Sequence, residues 1–298
     1  MKILILINFV DRAHCPQRLL EKIEHIFSQS GAPFRLVKFS SKDHSIDAIN
    51  EAKEQGFDTL VIGGGDGTIH NLFNLAFEKD LTFGLIPLGT VNALANSLGI
   101  PTDAENACRI ILKGAVRNVD VGRAAGRFFT CFGSVGFDAS VVHTIDPAAK
   151  VRWERIAFGY QGMKRLFYLD DLAPFDIFIP SSGKKLRGYS MIVSNIPNYA
   201  GFNFFSEKPD DGEMEILVFK KNTAIDYLFS AAKMGISGPK AGLEEDETLF
   251  RSKVTSFSIH GDKPLYLQLD GEAIPLSPGE DIAFDIMPRA SRFLSPNK

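Results

Sequence analysis

The first part of the chain alternates between short apolar runs and amphipathic segments, and this alternation limits the fold more than any other feature. The runs KILILIN, FRLVKF, DTLVIG and TFGLIPL are each followed by a helix-like segment. Strands that alternate with helices in this way predict a parallel sheet covered on both faces. The sequence therefore predicts an N-terminal α/β domain.

The pattern changes near Val116, where short β-type segments separated by turn residues take over, as in RFFTCFGSV, FDIFIP and PLYLQLDG. Such segments predict a mainly antiparallel, β-sandwich-like C-terminal domain, interrupted by helical insertions around 153–168 and 224–234. We place the α/β domain at residues 1–122, with 282–298 as a candidate strand that rejoins it. The β-rich domain is placed at 123–281.

The glycine-rich turn GGGDGT joins the strand DTLVIG to a helix that is expected to begin at Thr68. In a parallel α/β sheet, ligands bind beyond the carboxyl ends of the strands, and the N-terminus of the following helix suits a phosphate. Glycines let the backbone come close, Thr68 could cap the helix or bond a phosphate oxygen, and Asp66 could act through Mg2+. A plain structural turn is the alternative. The spacings GxxxxGK[ST] and GxGxxG are both absent.

The segment IPLGTVNALA repeats this arrangement one βα unit later. Its strand ends at Pro87, Gly89 and Thr90 form the turn, and a helix is expected to begin near Asn92. Two such turns in nearby units face the same crevice. Their joint occurrence favours a ligand site over two plain turns.

With these motifs the sequence resembles the diacylglycerol kinase catalytic domain family, which includes bacterial lipid kinases, sphingosine kinases and ceramide kinases. GGDGT followed by P-x-G-T-x-N carries the resemblance. The segments GSVGFDA, KPDDGEMEI and LDGE also fit, in family order and over nearly the whole chain. GGDG alone would also fit the related NAD kinases.

The resemblance implies an ATP- and Mg2+-dependent kinase that phosphorylates a diacylglycerol-like or sphingoid-like lipid in a cleft between the two domains. By motif, the nucleotide-binding residues are Asn8, Gly64, Gly65, Asp66, Gly67, Thr68, Ile69, His70, Asn71, Gly89, Thr90 and Asn92. Asp66 would join the magnesium network. A structural Mg2+ site would consist of Asp211 with the backbone carbonyls of Lys208 and Glu213.

The LDGE carboxylates, Asp270 and Glu272, are the candidate general bases, because an alcohol nucleophile needs a carboxylate within hydrogen-bond reach. Two residues apart at a strand end, they are expected to point to the same side. The choice between them stays open, with Asp270 preferred. Plain turns are the alternatives for DGE and KPDDGE, and His70 is either a catalytic histidine or a helix-surface residue.

Three positions depart from the family pattern. The segment INFVDRAHCP lacks N-P-x-x-G, so only Asn8 carries over. Asn71 stands where many relatives have Glu, and Ala93 replaces the aspartate of N-D-F-A. NALA is similar to the sphingosine and ceramide kinase version, and one acidic magnesium partner is expected to be missing.

Composition narrows the choice of partners. The formal charge of -3 argues against nucleic-acid binding, and three cysteines without CxxC spacing suit reduced thiols in a cytoplasmic protein. MKILILINFV predicts a buried strand and not a signal peptide. No apolar run is long enough to span a bilayer, so membrane contact would be peripheral.

The insertion KVRWERIAFGYQGMKRLFYL interleaves basic and aromatic side chains. It could rest on anionic lipid headgroups, or it could simply cover a sheet. The twenty-five phenylalanines fit either a Phe-packed core or a site for an apolar substrate.

The sequence thus favours a cytoplasmic lipid kinase that visits the membrane surface, with a homodimer left open. Two alternatives remain: a kinase of a polar substrate, like the NAD kinases, and a catalytically weak nucleotide- or lipid-binding homologue. Asn71, Ala93 and the altered first loop motivate the second of these.

Overall fold

The computed structural model describes residues 1–8, 17–144, 169, 172–199, 202–206, 208–227 and 244–297. The chain divides into two compact units. Unit 1 comprises Met1–Val119 and Arg289–Lys298, and unit 2 comprises Asp120–Pro288. The chain therefore leaves unit 1 once and returns to it near its end.

The helices are α1 (Gln17–Gln29), α2 (Lys42–Glu54), α3 (Asp66–Ala76), α4 (Ala93–Ser97), α5 (Ala104–Lys113) and α6 (Phe137–Thr144), with a short 3-10 helix at Phe77–Lys79. The strands are β1 (Ile3–Asn8), β2 (Phe34–Phe39), β3 (Thr59–Gly64), β4 (Thr82–Pro87), β5 (Ala115–Ala124), β6 (Arg127–Phe129), β7 (Phe132–Val135), β8 (Phe175–Ile179), β9 (Lys184–Gly188), β10 (Ser190–Ser194), β11 (Asn198–Tyr199), β12 (Phe202–Asn203), β13 (Met214–Phe219), β14 (Glu244–Glu245), β15 (Leu249–Val254), β16 (Ser256–His260), β17 (Leu267–Leu269), β18 (Glu272–Ile274) and β19 (Ile282–Ser295).

Unit 1 is built on a parallel sheet in the order β2-β1-β3-β4-β19. Strand β1 is buried along nearly its whole length, as expected for a strand covered on both faces. One apolar cluster packs the sheet against α1, where Leu20, Ile23 and Phe27 recur at helical spacing. Helix α3 also packs against the sheet, where the ring of Phe73 stacks on that of Phe293 in β19, with the ring centroids 5.9 Å apart.

The last strand joins unit 1 through its final residues only. Arg292 and Phe293 pair with Thr82 and Phe83 of β4 in parallel register. The Arg292 guanidinium also lies 2.6 Å from the Asp80 carboxylate. The C-terminal run of the sequence is therefore a strand of unit 1, although more than half of the chain separates it from the other strands.

In the described residues of unit 2, two antiparallel arrays share one core, and β11 and β12 form a separate pair. The first joins β9, β8, β16 and the first part of β19, and the second follows the order β14-β15-β13-β10-β7-β17-β18. Their apolar side chains meet in a single cluster that includes Phe129, Phe175, Met191, Ile216 and Phe284. Sheet packing of this kind is the defining feature of a sandwich, so the predicted fold class is confirmed.

Candidate functional site

The glycine-rich turn follows β3 directly. The structure extends β3 through Gly64 and begins α3 at Asp66, with Gly65 in an extended conformation as its N-cap. The expected helix start at Thr68 is therefore wrong by two residues, because Asp66 and Gly67 already adopt helical geometry. The first turn of α3 consequently contains Asp66, Gly67 and Thr68, whose backbone N–H groups lie at the end of the helix that attracts anions.

The two glycine turns of unit 1 touch each other. A Cβ added to Gly89 would lie 2.6 Å from the Cα of Gly65, and a Cβ added to Gly65 would lie 3.2 Å from the Cα of Gly89. A Cβ on Gly64 would lie 2.6 Å from the Thr68 side chain. At Gly89 a side chain would clash with backbone, so the two turns form one patch of closely packed, half-buried backbone at the carboxyl edge of β3 and β4.

Side chains of this patch tie its segments together. The Asn8 amide donates to the Thr68 hydroxyl at 2.9 Å, which places the end of β1 beside the first turn of α3. The Asp66 carboxylate accepts from the backbone N–H of Ala93 at 2.7 Å. Asp66 thus joins the two turns, and Ala93 contributes its backbone N–H at the position where the resemblance predicts an aspartate.

Asn92 holds the second turn closed. Its φ of 51° is left-handed, a conformation that asparagine tolerates better than most residues. The amide of Asn92 accepts from the Gly89 N–H at 2.9 Å and donates to the Gly89 carbonyl at 2.8 Å. Helix α4 begins at Ala93 with Asn92 as its cap, and Asn92 is buried whereas Thr90 is exposed. Of the polar side chains expected here, Thr90 is the accessible one.

The three residues after Thr68 differ in exposure. Ile69 and His70 are 2% and 5% exposed, while Asn71 lies on the surface. The Asn71 amide donates to the carbonyl of Gly67 at 2.9 Å. The alternative of a surface histidine at position 70 is therefore wrong, since His70 faces the interior of the unit.

The LDGE segment is a hairpin. Strands β17 and β18 pair with Leu269 opposite Glu272, and the two turn residues Asp270 and Gly271 have φ values of 50° and 84°. An Asp-Gly pair with both φ values positive is typical of the type I′ turn. The expectation that Asp270 and Glu272 point to the same side of a strand is therefore wrong, because Asp270 lies in the turn.

The Asp270 carboxylate is saturated with hydrogen bonds. One oxygen accepts from the backbone N–H and the hydroxyl of Thr130, at 2.9 and 3.3 Å. The other accepts from the backbone N–H groups of Cys131 and Phe132, both at 2.9 Å. A carboxylate offers about four acceptor positions, so these donors occupy the group that was preferred as the base. Glu272 is half-buried in the strand that follows.

The KPDDGE segment forms a turn around Asp211. Its carboxylate accepts from the backbone N–H groups of Lys208 and Glu213, each at 3.3 Å. The Lys253 ammonium lies 3.5 Å from the Asp211 carboxylate and 3.7 Å from that of Glu213. This lysine lies beside the proposed carboxylate ligand, and the Mg2+ site at this turn stays a prediction. Among the described residues, no group of three His, Cys, Asp or Glu side chains forms a metal cluster.

The motif search missed several polar residues that organise unit 2. Asp120 accepts from the Gly212 N–H at 2.6 Å and so fixes the KPDDGE turn. Gln268 is fully buried beside Ser134 and Asp138. Gln268 lies in β17, directly before the LDGE segment. A glutamine between two leucines resembles an outward-facing strand residue, so the local sequence did not predict that it is buried.

The structure describes only some of the residues behind the predictions about the cysteines and the basic aromatic insertion. Cys108 and Cys131 are buried, and burial raises the pKa of the Cys108 thiol to about 12. Cys15, the segment 9–16 and the basic aromatic insertion at 150–168 lie outside the described residues, as does most of the insertion at 224–234. No helix in the described part of the chain is both long and apolar enough to cross a membrane.

Comparison with known proteins agrees with the resemblance seen in the motifs. Residues 2–124 match the diacylglycerol kinase catalytic domain family. The matched residues make up less than half of the chain. The match includes both glycine turns and Asn8, and it ends shortly after the boundary of unit 1 at Val119.

Full-length relatives extend the similarity beyond this domain. The chain is 26% identical over 269 residues to "Diacylglycerol kinase" of Bacillus subtilis (strain 168), covering 88% of this chain and 86% of that protein. It is 26% identical over 253 residues to "Probable lipid kinase YegS-like" of Enterobacter sp. (strain 638), covering 81% and 79%. A crystal structure of a diacylglycerol kinase from Bacillus anthracis str. Sterne has a TM-score of 0.73 at 18% identity, covering 99% and 97%; this likeness concerns the fold.

Proposed function

We propose that this protein is a lipid kinase that transfers the γ-phosphate of ATP to the hydroxyl of a diacylglycerol-like or sphingoid-like lipid. The observation that carries the proposal is the close approach of Gly65 and Gly89, which leaves bare backbone beside the N-terminus of α3. Such backbone binds phosphate groups. The family domain and the relatives named as lipid kinases support the same conclusion.

The nucleotide is proposed to bind the glycine patch of unit 1. Backbone groups from Gly65 to Thr68 would cradle its phosphates, and the exposed Thr90 hydroxyl would contact it from the second turn. Asn8 acts through Thr68, whose hydroxyl it orients. Asn92 serves by holding Gly89 in place and makes no proposed contact of its own.

Mg2+ is proposed to accompany the nucleotide, with the Asp66 carboxylate as its protein partner. A single carboxylate beside substrate phosphates suits Mg2+, which keeps several of its waters. The ion would neutralise phosphate charge during transfer. The Asp66 carboxylate also accepts from Ala93, so its orientation is set before any ion binds. A second, structural Mg2+ is proposed at the Asp211 turn, where the Lys253 ammonium lies 3.5 Å from the Asp211 carboxylate.

Glu272 is the proposed general base. The lipid hydroxyl oxygen attacks the γ-phosphorus while the bond from that phosphorus to the bridging oxygen breaks, and ADP leaves. The hydroxyl proton passes to the Glu272 carboxylate. Asp270 is the weaker candidate because accepting a proton would disrupt the hydrogen bonds it receives from Thr130, Cys131 and Phe132. Phosphoryl transfer otherwise depends on positioning and charge neutralisation.

The test is a phosphate-transfer assay with radiolabelled ATP and Mg2+, offering diacylglycerol, sphingosine and ceramide in mixed micelles and NAD in solution. We expect one of the lipids to be labelled and NAD to remain unlabelled. Labelling of NAD alone would replace the proposal with a polar-substrate kinase.

One observation favours a second candidate function, that of a nucleotide-binding homologue without transfer activity. Ala93 presents only a backbone N–H to Asp66, so the region lacks the acidic side chain that many relatives have. If the protein binds ATP but labels no acceptor, a nucleotide-binding homologue without transfer activity is the better description. Isothermal titration with ATP, run beside the transfer assay, measures this.

A further inference from the structure

Strand β17 buries a polar side chain between two apolar ones. Leu267 and Leu269 belong to the apolar core of unit 2, whereas Gln268 lies on the opposite face of the strand and is 0% exposed. A buried amide is costly unless its donors and acceptor are all bonded. The contacts of Gln268 therefore indicate why a glutamine stands at this position.

The Gln268 amide makes three hydrogen bonds, two through its nitrogen and one through its oxygen. Its nitrogen donates to the Ser134 hydroxyl at 2.9 Å and to the Asp138 carboxylate at 3.2 Å. Its oxygen accepts from the backbone N–H of Gly271 at 2.8 Å. One side chain thus connects β7 and α6 with the turn of the LDGE hairpin.

Asp138 is the charged centre of this network. It lies in the first turn of α6, where a carboxylate is favoured by the helix dipole. The Ser134 hydroxyl donates to it at 2.5 Å. Burial raises the pKa of Tyr199 well above its usual range, and the neighbouring Asp138 carboxylate adds to that rise. Because Asp138 accepts from the Gln268 nitrogen, the amide has one orientation, in which its oxygen is directed at Gly271.

The hairpin turn is consequently held from two directions. Asp270 is anchored to the backbone of residues 130–132, and Gly271 is anchored to Gln268. Glu272 follows these two residues immediately, and its backbone position is therefore set by both anchors. A buried polar network that is satisfied makes the structure around it more rigid.

We propose that Gln268 is a positioning residue for phosphoryl transfer: it fixes the Gly271 end of the turn and thereby holds the Glu272 carboxylate where it meets the lipid hydroxyl. This inference rests on the proposed function. It differs from the anchoring of Asp270 because Gln268 acts through the peptide next to Glu272. Misplacement of a catalytic group by about 1 Å can lower a rate by about 100-fold.

The experiment compares Gln268→Leu with Gln268→Glu in the full-length protein. Leucine removes all three hydrogen bonds of the amide, whereas a glutamate carboxylate can still accept from Gly271 but no longer donates to Asp138. Ile216→Val is the matched control, since it weakens the same unit at a buried core position without touching the turn. Two quantities are measured: steady-state lipid phosphorylation, and amide hydrogen exchange of peptides spanning residues 265–276.

We expect Gln268→Leu to lower kcat by about 100-fold with the KM for ATP within about twofold of wild type. Exchange should accelerate across the hairpin, and Gln268→Glu should fall between Gln268→Leu and wild type in both measurements. Ile216→Val should keep the wild-type kcat and hairpin exchange. If Gln268→Leu does not fold, Gln268→Glu against the control decides the matter alone.

An unchanged kcat in Gln268→Leu, or in Gln268→Glu when only that variant folds, overturns the proposal, whatever happens to exchange. A kcat loss with unchanged hairpin exchange overturns it as well, because the effect would not pass through the turn. If the wild-type protein phosphorylates no lipid, the proposed function fails. The exchange measurement then still shows whether Gln268 holds the turn, so the two failures are distinguishable.

Discussion

At the scale of single residues, the glycines at positions 65 and 89 have a steric explanation that does not depend on their flexibility. Neither glycine has a positive φ. A Cβ on Gly89 would clash with the Gly65 backbone, and a Cβ on Gly65 would be in tight contact with the Gly89 backbone. The patch is thus a contact between two turns as well as a candidate phosphate site.

Gly89→Ala should weaken ATP binding at least tenfold. The added methyl group would lie 2.6 Å from the Gly65 Cα, and backbone atoms cannot rotate away as a side-chain tip can. Overpacking of this kind also lowers stability by about 1–3 kcal/mol. Titration calorimetry with ATP and urea unfolding measure the two effects. Gly65→Ala, whose closest contact is 3.2 Å, should give a smaller loss, and equal losses would contradict the steric explanation.

Asp270 and Glu272 should separate into a structural and a chemical role. Asp270→Asn places an amide NH2 among the N–H donors of residues 130–132, so we expect the free energy of unfolding to fall by about 2 kcal/mol. Glu272→Gln should leave stability nearly unchanged and lower kcat by about 100-fold or more. Urea unfolding and the lipid transfer assay provide the measurements. Asp270→Asn with full stability and no transfer would restore Asp270 as the base.

At the scale of elements, β13 and β15 are joined by a buried ion pair as well as by their backbone ladder. The Arg251 guanidinium contacts the Glu215 carboxylate, and the two residues are 4% and 2% exposed. Arg251 also donates to the carbonyl of Phe204 at 2.9 Å, while Glu215 accepts from the N–H and hydroxyl of Ser206. The pair therefore fastens segment 204–206 to this sheet.

Arg251→Met should lower the free energy of unfolding by about 3–5 kcal/mol, because it leaves the Glu215 carboxylate buried without its partner. The double variant Glu215→Leu/Arg251→Met should recover much of this loss, since apolar pairs replace buried ion pairs at little cost. Urea unfolding followed by circular dichroism measures both. A double variant as unstable as the sum of its single variants would show that the two side chains do not act as a pair.

At the scale of the whole molecule, unit 1 is discontinuous in sequence. Its sheet is completed by residues after Pro288, where Phe293 is fully buried and its ring centroid lies 5.3 Å from that of Phe83. The first 119 residues contain the family motifs of both glycine turns but lack this edge of their own sheet.

A fragment of residues 1–119 should therefore fail to unfold cooperatively. The same fragment joined through a glycine-serine linker to residues 289–297 should regain a cooperative transition, since the missing strand and the Phe293 contacts return. The control is the joined fragment with Phe293→Ala, which keeps the strand but loses about 3–5 kcal/mol of packing. Thermal unfolding measures all three, and cooperative unfolding of 1–119 alone would contradict this account of unit 1.

Local signals explain which features could be predicted. Residue period and turn chemistry predict three features: the alternation of strands and helices in unit 1, the short β segments in unit 2, and the glycines at two consecutive strand ends. Each can be recognised within about twenty residues. The start of α3 was misplaced by two residues because glycine and aspartate in a first helical turn resemble the turn itself. For DGE, the sequence predicts a plain turn only as the alternative to a pair of carboxylates on one side of a strand.

The sequence by itself determined the fold class and the position of the glycine turns, because these depend on neighbours along the chain. Tertiary structure alone decided that His70 is buried, that Lys253 balances Asp211, and that Asp270 is saturated. The donors to Asp270 lie 138–140 positions away in the chain. Contacts between such distant segments exist only once the strands have paired, so no local pattern could reveal that the Asp270 carboxylate accepts these hydrogen bonds.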